Sequence, residues 1–369
     1  MLRFLRTTST ARLLALVAGV VCLAGATAAI ALAATSRSGS KPPSEPLANA
    51  VHDALSAPTV PGITARVRFT NHLIDSAAIP GVGPLLSGAT GRLWASPNGR
   101  FRLELQSTSG DAQVVFDKGR VLVYDASSNT AYRAQLPQHS GKEHGPPSLK
   151  QISEAIGRAR RYWGISGAIP TTAAGQSAYE VRVTPRNGGQ VSGLRLVWDA
   201  THGVPLKVAI YARGNASPVL ALTVDKISYG SVPASVFNLS PPKGAHVVDV
   251  TSPRGGHENG NTALPFKVNA PAQLAGKTRQ DVKQIGSDAA LVTYGKGLDG
   301  LAVIERKAGN GQSPTLGGHS LPSVSINGSA GQELPTALGT VVRFTRDGVD
   351  YTVLGSQPTD TVLAAARAL

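Results

Sequence analysis

Residues 88–137, GATGRLWASPNGRFRLELQSTSGDAQVVFDKGRVLVYDASSNTAYRAQLP, decide the fold of this chain. Apolar residues recur there at every second position in short runs, the spacing of half-buried strands. Turn residues separate the runs. Asn98-Gly99 is the strongest turn signal, because both residues tolerate the positive φ that a type I′ hairpin turn requires. The stretch predicts five short antiparallel strands in a meander without a catalytic motif between them.

On the N-terminal side of the meander, residues 63–70 (ITARVRFT) alternate cleanly and predict the first strand of the same sheet. Residues 73–86 (LIDSAAIPGVGPLL) are apolar but interrupted by prolines and glycines, so they cannot form a regular strand. Apolar segments of this kind cover another apolar surface. We therefore expect residues 73–86 to act as a lid over one face of the sheet.

On its C-terminal side, Ser148 and Gln151 predict a capping box that starts a helix ending near Trp163-Gly164. Four further strands are predicted, over 178–184, 193–199, 204–212 and 219–229. Beyond residue 262, a weak helical pattern covers 271–285 and a terminal helix covers 361–369. The strands predicted in this last part are 289–294, 300–306, 323–326, 340–346 and 349–354.

The N-terminus carries an export signal: Arg3, Arg6 and Arg12 precede an uncharged apolar run from Leu13 to about Ala34. Small residues at 31 and 33 fit cleavage by signal peptidase, whereas the length of the run also suits an uncleaved anchor. Both interpretations send the rest of the chain across the membrane. We expect an extracytoplasmic protein, either secreted or anchored to the outer face of the plasma membrane.

Composition narrows the class of protein further. The single cysteine, Cys22, follows Val21 inside the apolar run, which does not fit a lipoprotein signal. Because the exported part has no other cysteine, no disulfide stabilises it. The chain has 369 residues, 41% of them hydrophobic, which is enough for about two domains with real cores. Its net charge of +14 comes from scattered basic residues rather than from a block that would bind nucleic acid.

The order of elements, with GRLWASPNGRFRLEL, VVFDKGRVLVYDASSNTAYRAQLP and VFNLSPPKGAHVV, resembles the LolA-like lipoprotein-carrier fold, an open antiparallel half-barrel. A second unit follows, whose last stretch reads VVRFTRDGVDYTVLGSQPTDTVLAAARAL. This order of two units is similar to that of RseB-type sigma-factor regulators. The resemblance implies a mainly β (α+β) protein that binds lipid or acyl chains. It also implies a possible partner for the second unit, a membrane anti-sigma factor.

Together these observations predict a division of the chain into five parts. They are a signal peptide or N-terminal membrane anchor (1–34), a spacer (35–60), a LolA/RseB-like half-barrel domain (61–250), a linker (251–261) and a small α+β C-terminal domain (262–369).

No residues point to an enzyme, a cofactor or a metal. His139 and His144 are four residues apart but lie in a Gly/Pro-rich loop, and the other histidines of the exported part lie mostly in predicted turns, linkers or the spacer. There is no Gly-x-Ser-x-Gly elbow, phosphate loop or zinc spacing. One cluster, Arg158 to Trp163, combines basic and aromatic residues. Either its arginines complement the dipole of the preceding helix, or they contact anionic lipid headgroups or a protein partner.

The apolar face of the predicted half-barrel is the remaining candidate site. A curved sheet with few helices has more apolar surface than its own elements cover, which favours a cavity that accepts an acyl chain. The alternative is an ordinary filled core built from the same residues. The predicted cavity and lid residues are Phe69, Ile79, Leu85, Leu86, Trp94, Phe101, Leu103, Val115, Val123, Leu196, Trp198 and Ile210. We expect a non-enzymatic lipid or lipoprotein carrier, with an RseB-like regulator as the alternative.

Overall fold

The computed structural model describes residues 39–74, 84–135, 147–238, 240–250, 264–285, 287–309, 315–316 and 319–369. Both large sheets and three clusters of buried side chains lie within these ranges, so residues 39–369 have a core of their own. No helix in these ranges is both long enough and apolar enough to cross a membrane. The predicted leader, the linker 251–261 and the two loop histidines His139 and His144 lie outside the described residues.

Within the described residues the helices are few and short: α1 Leu47–Ser56, α2 Pro84–Ser87, α3 Leu149–Ala159 and α4 Thr359–Arg367, with 3₁₀ helices at Ala234–Phe237 and Gly297–Asp299. The predicted capping box is present at the start of α3, where Gln151 N donates to Ser148 Oγ at 3.4 Å and Ser148 N donates to Gln151 Oε1 at 2.8 Å. The prediction that this helix reaches Trp163-Gly164 is wrong. It ends at Ala159, because Trp163 and the next two residues pair with a strand instead.

The first sheet, which corresponds to the predicted half-barrel, has thirteen strands. They are β1 Ile63–Asn71, β2 Ala89–Ala95, β3 Phe101–Ser107, β4 Gly110–Asp117, β5 Arg120–Asp125, β6 Thr130–Gln135, β7 Trp163–Ile165, β8 Ile169–Ala173, β9 Gln176–Pro185, β10 Val191–Asp199, β11 Pro205–Ala212, β12 Pro218–Tyr229 and β13 His246–Val250. The spatial order is β13-β6-β5-β4-β3-β2-β1-β12-β11-β10-β9-β7, and β8 pairs with β9. The five-strand meander predicted from residues 88–137 is confirmed as β2 to β6.

One pair in this sheet departs from the antiparallel pattern. Strand β13 runs parallel to β6, in the register His246 opposite Thr130. Arg133 fixes the pair with a bidentate contact to Asp249, at 3.0 and 3.1 Å. The last strand of this sheet in the sequence thus forms its edge, beside β6.

The second sheet has eight strands in the order β14-β15-β16-β17-β23-β22-β21-β20. Its strands are β14 Gln273–Leu274, β15 Lys277–Ile285, β16 Ala289–Tyr294, β17 Leu301–Lys307, β20 Ser323–Ile326, β21 Ser329–Thr336, β22 Gly339–Arg346 and β23 Val349–Gly355; β18 Thr315–Leu316 and β19 His319–Ser320 form a separate pair. Helix α4 packs on β22 and β23 and contributes Val362, Ala365 and Ala366 to the core of this sheet, all fully buried.

Two Asx-Gly turns of the chain differ in conformation. At Asp347-Gly348, a residue pair that favours two-residue hairpin turns, both residues have positive φ, 49° and 73°, and the hairpin is tight. At Asn98-Gly99 only the glycine has positive φ, 70°, and Gly99 N donates to Ser96 O at 3.1 Å. The type I′ turn predicted at Asn98-Gly99 is therefore wrong, because the loop is longer than two residues.

The weak helix predicted over 271–285 is also wrong. Strand β15 occupies Lys277–Ile285 and is exposed along nearly its whole length. Because both of its faces meet water, its sequence KTRQDVKQI lacks the apolar alternation by which a half-buried strand is recognised.

Candidate ligand-binding site

The inner face of the half-barrel is built from the alternation of its strands. On β1 every second residue from Ile63 to Phe69 is buried, and the residues between them are exposed or partly exposed. The register of β1 with β2 places Leu93 beside Ala65 and Ala95 beside Ile63, on the same face. We call the cluster of buried side chains on this face, together with those packed against it, the half-barrel core.

A small apolar cavity of about 50 Å³ lies in the half-barrel core. It is bounded by β1, β2 and the start of β3 on one side, and by β11, β12 and the residue before β11 on the other. The residues that line it are Ile63, Ala65, Leu93, Ala95, Phe101, Val204, Pro205, Leu206, Lys207, Val208, Leu222, Val224 and Ile227. Lys207 is the one charged residue among them, so the lining suits an apolar group.

The second sheet closes the half-barrel core. Leu334 of β21 is a buried member of that core, and Leu321, Ala337, Leu338 and Val341 pack against it. Ala337, in the turn between β21 and β22, also donates its N–H to the carbonyl of Leu73 at 2.8 Å. The half-barrel therefore shares its core with a neighbour that is not part of its own sheet.

Asn71 ties down the ends of the segment predicted to be a lid. Its side chain is almost fully buried, donates from Nδ2 to Leu85 O at 2.8 Å and accepts from Leu73 N at 3.0 Å. Leu73 and Leu85 are buried in the half-barrel core, and Leu86 packs against it. The middle of the segment, including Ile79, lies outside the described residues. Both described ends cover the inner face, as the lid prediction requires.

Seven of the predicted site residues reach the half-barrel core. Phe69, Leu85, Phe101, Leu103 and Val123 are buried in it, whereas Leu86 and Ile210 lie at its margin. Of these, Phe101 lines the cavity. Their contact with a ligand stays a prediction.

Two of the predicted orientations are wrong. Trp94 is in register with the exposed Thr64 of β1 and stacks under the guanidinium of Arg102, on the outer face. Val115 is opposite Arg102 in the next pair of strands and shares that face. The runs Leu93-Trp94-Ala95 and Val114-Val115-Phe116 are apolar throughout, so alternation alone does not show which member points inward.

The outer face at Val115 is covered by the segment that follows β12. Arg102 Nη1 donates to Val236 O at 2.8 Å, and the guanidinium of Arg100 lies 5.3 Å from the centre of the Phe237 ring. Phe237 itself is buried. This cover explains why Val115 is buried although it lies on the outer face.

Trp198 and Leu196 of β10 are also placed differently from the prediction. Trp198 packs with Leu47, Ala50 and Tyr179 in a separate cluster beneath α1. Leu196 is 37% exposed. The predicted site leaves out core residues such as Leu206, Leu222 and Val224. They lie on β11 and β12, where neighbouring positions are mostly apolar, so alternation does not show which side chains point inward.

A polar cluster at the turn after β10 has the residues of an acid–histidine pair but fulfils a structural task. Asp199 accepts from Thr201 N at 2.7 Å and from Tyr229 Oη at 2.5 Å, and it contacts His202 Nδ1 at 2.9 Å. Burial and the Asp199 carboxylate raise the pKa of Tyr229 far above its usual value. With its oxygens used in this way, Asp199 holds the turn closed. Within the described residues no group of His, Cys, Asp and Glu is arranged to hold a metal.

No protein-family model matches the sequence, and no curated protein sequence matches it. Among solved structures, the chain is similar to MucB in complex with MucA(peri), with 17% identity over 87% of this chain and 94% of that chain and a TM-score of 0.44. The MucA/MucB complex of Pseudomonas aeruginosa matches at 16% identity over 86% and 95%, with a TM-score of 0.42. An uncharacterized conserved protein from Thermus thermophilus matches at 14% identity over 55% and 96%, with a TM-score of 0.34.

At TM-scores below 0.5 these likenesses carry no argument about this chain. What the chain does has to be argued from its own inner face, its shared core and its surface.

Proposed function

We propose that this chain is a non-enzymatic, extracytoplasmic binding protein that holds the acyl chain of a lipid or lipoprotein against the inner face of the half-barrel. The observation that carries the proposal is the shared core: an apolar sheet face whose last cover comes from a separate sheet. A cover that belongs to another sheet can leave without unfolding the half-barrel. An apolar ligand can then take its place.

The size of the cavity supports a closed state in which the cover occupies the ligand's position. Sites for drug-sized ligands have volumes of about 300–1,000 Å³, whereas the described cavity holds about 50 Å³. An acyl chain therefore needs Leu334, Leu338 and their neighbours to move away. In the proposal, the ligand and the turn between β21 and β22 compete for the same apolar face.

The test starts from the exported part, residues 35–369, purified from its host's own membranes and examined by native mass spectrometry with lipid extraction. We expect a co-purifying acylated species and saturable uptake of a fluorescent fatty acid. Ala95→Leu adds bulk to the cavity wall and should weaken uptake by about tenfold. The matched control is Thr90→Leu on the exposed face of the same strand, which should bind like the wild type. A ligand-free mass together with no uptake would refute acyl-chain binding.

A second candidate is an RseB-like regulator that senses envelope lipids or stress and binds a membrane anti-sigma factor. The observation in its favour is strand β15, which exposes Val282 by 45% and Ile285 by 42%. Strand β14 pairs only with Lys277 and Thr278, and no other described strand flanks the outer edge of β15. An edge of this kind accepts a strand of another protein by β-augmentation.

The two candidates predict different partners. A carrier yields its ligand to an acceptor, whereas a regulator binds a membrane protein in a way that the ligand changes. Capture with the exported part as bait, with and without fatty acid, distinguishes them. The variant Val282→Asp/Ile285→Asp should abolish capture by a regulator, and Val247→Asp on β13, also exposed, should not.

A further inference from the structure

Segments that are distant in sequence meet at one end of the first sheet. The turn after α3 carries Arg160, Arg161 and Tyr162, and β7 then pairs with the end of β9, Trp163 opposite Pro185. Arg186 follows β9 directly. Its backbone N–H donates to Tyr162 O at 3.2 Å and its Nε donates to Arg160 O at 3.0 Å.

A fourth arginine joins them through the next loop. Arg213, at the end of β11, donates its backbone N–H to Gln190 O at 2.7 Å and its Nε to Gly189 O at 3.0 Å. Arg186 thus begins the loop 186–190, and Arg213 is hydrogen-bonded to its last two residues. We call Arg160, Arg161, Tyr162, Arg186 and Arg213 the arginine rim.

The rim carries uncompensated positive charge. All four arginines are exposed, and none forms an ion pair with a described acidic residue. The carboxylates nearby are engaged elsewhere. Glu154 and Glu180 pair with Arg158 and Arg182, and Asp299, which lies against Gly188, pairs with Lys277 at 2.9 Å.

The helix dipole accounts for only part of this cluster, because it favours Arg160, the C-cap residue of α3, and Arg186, which donates to the carbonyl of Arg160. Helix α3 has one basic residue in its last turn, Arg158, and that residue is already paired with Glu154 at 4.0 Å. Arg186 and Arg213 directly follow β9 and β11, so neither belongs to the helix. Charges of one sign from separate segments repel one another, so the grouping is stabilised when an anionic partner is present.

Tyr162 points to the kind of partner. It is 67% exposed, more than any other exposed large hydrophobic residue of the described chain. A tyrosine ring among arginines is the combination found where proteins meet the headgroup region of a bilayer, because the ring is apolar at its body and polar at its tip. The residues of the rim lie in turns and bends at the surface.

We infer that the arginine rim docks this protein on a bilayer that contains anionic phospholipids. Each arginine close to such a surface adds an attraction that salt screens. Docking at the rim is separate from the cavity and does not depend on acyl-chain binding.

The test is co-sedimentation of residues 39–369 with vesicles of phosphatidylcholine alone and of phosphatidylcholine with phosphatidylglycerol, at low and high salt. We expect binding to the anionic vesicles only, and loss of that binding at high salt. Arg160→Glu/Arg161→Glu should lower the partition coefficient at least about tenfold. Tyr162→Ala should lower it by a smaller factor that salt does not change.

The matched control reverses two other exposed arginines. Arg66→Glu/Arg92→Glu makes the same change of net charge at a cross-strand pair on the outer face of β1 and β2, and should leave the partition coefficient unchanged. Equal losses in the two variants would mean that overall charge, not the rim, attracts the protein, which overturns the inference. Binding to polyglutamate but not to anionic vesicles would overturn it in favour of an acidic protein partner. Circular dichroism melts check that each variant is folded.

Discussion

The two sheets of this protein complete their cores in different ways. The second sheet is closed by its own helix, and its central residues Val292, Val303, Val342 and Val353 are fully buried, together with Val362 of α4. The half-barrel core instead takes Leu334 and its neighbours from the other sheet and still leaves a cavity. The comparison teaches that one sheet completes its core with its own helix, whereas the other depends on residues of a neighbouring sheet.

The largest effect is expected where the self-contained core is broken. Ala365→Asp places a carboxylate at a fully buried position of α4 and should lower the free energy of unfolding by about 4 kcal/mol or more, measured by urea denaturation. Its control is Ala364→Asp, one residue earlier and exposed, where we expect a change within about 0.5 kcal/mol. Similar losses in both variants would show that α4 does not close this core.

A second prediction uses the carboxyl group that the second core buries. Glu305 of β17 is fully buried, Oε2 accepts from Asn269 N at 2.8 Å, and Oε1 has no partner among the described residues. Burial raises the pKa of Glu305 from 4.5 to about 7, against the opposing effect of the hydrogen bond from Asn269. The folded state therefore holds a proton that the unfolded chain releases near the ordinary value.

Because the folded state binds more protons in this window, the stability is fully present below the ordinary carboxyl pKa and is lost as the pH rises through the raised one. We expect the free energy of unfolding to fall by about 3 kcal/mol across that window. Glu305→Gln should remove this slope, whereas Glu154→Gln on the exposed face of α3 should keep it. A slope that survives Glu305→Gln would assign the pH dependence to another group.

The smallest change in stability is expected at the shared core, where the functional effect is the larger one. Leu338→Ser removes an apolar contact at the edge of the cover and should cost about 1 kcal/mol while increasing uptake of a fluorescent fatty acid. Leu363→Ser, at a comparable half-buried position of α4, should cost a similar amount without changing uptake. Unchanged uptake in Leu338→Ser would mean that the turn between β21 and β22 does not limit entry.

The sequence predicts most of the fold because most strands leave one face in water. Strand β1 and the β2–β6 meander show the period of two, and Ser148 with Gln151 marks the start of α3. Strand β15 escapes prediction because both of its faces are exposed. Strand β7 escapes because Trp163 to Ile165 form strand structure through pairing with β9, a contact between residues about twenty positions apart.

The candidate site is harder to predict than the fold. Alternation identifies Phe69, Leu103 and Val123 as inner residues, but it fails at Trp94 and Val115, where neighbouring positions are apolar as well. The contribution of Leu334 and Leu338 to the half-barrel core could not be derived from local pattern. It depends on contacts between parts of the chain more than a hundred residues apart.

The parallel pairing of β13 with β6 has a consequence for how the chain comes to be folded. Strand β6 is complete at Gln135, yet the strand that covers its edge begins only at His246. During synthesis at about 5–20 residues per second, or during passage through a membrane pore, this edge waits for several seconds without its neighbour. An open strand edge recruits other chains. Truncation before His246 is therefore expected to yield aggregates rather than a soluble fragment. A chaperone would prevent most aggregation if it bound in the interval between the synthesis of β6 and that of β13.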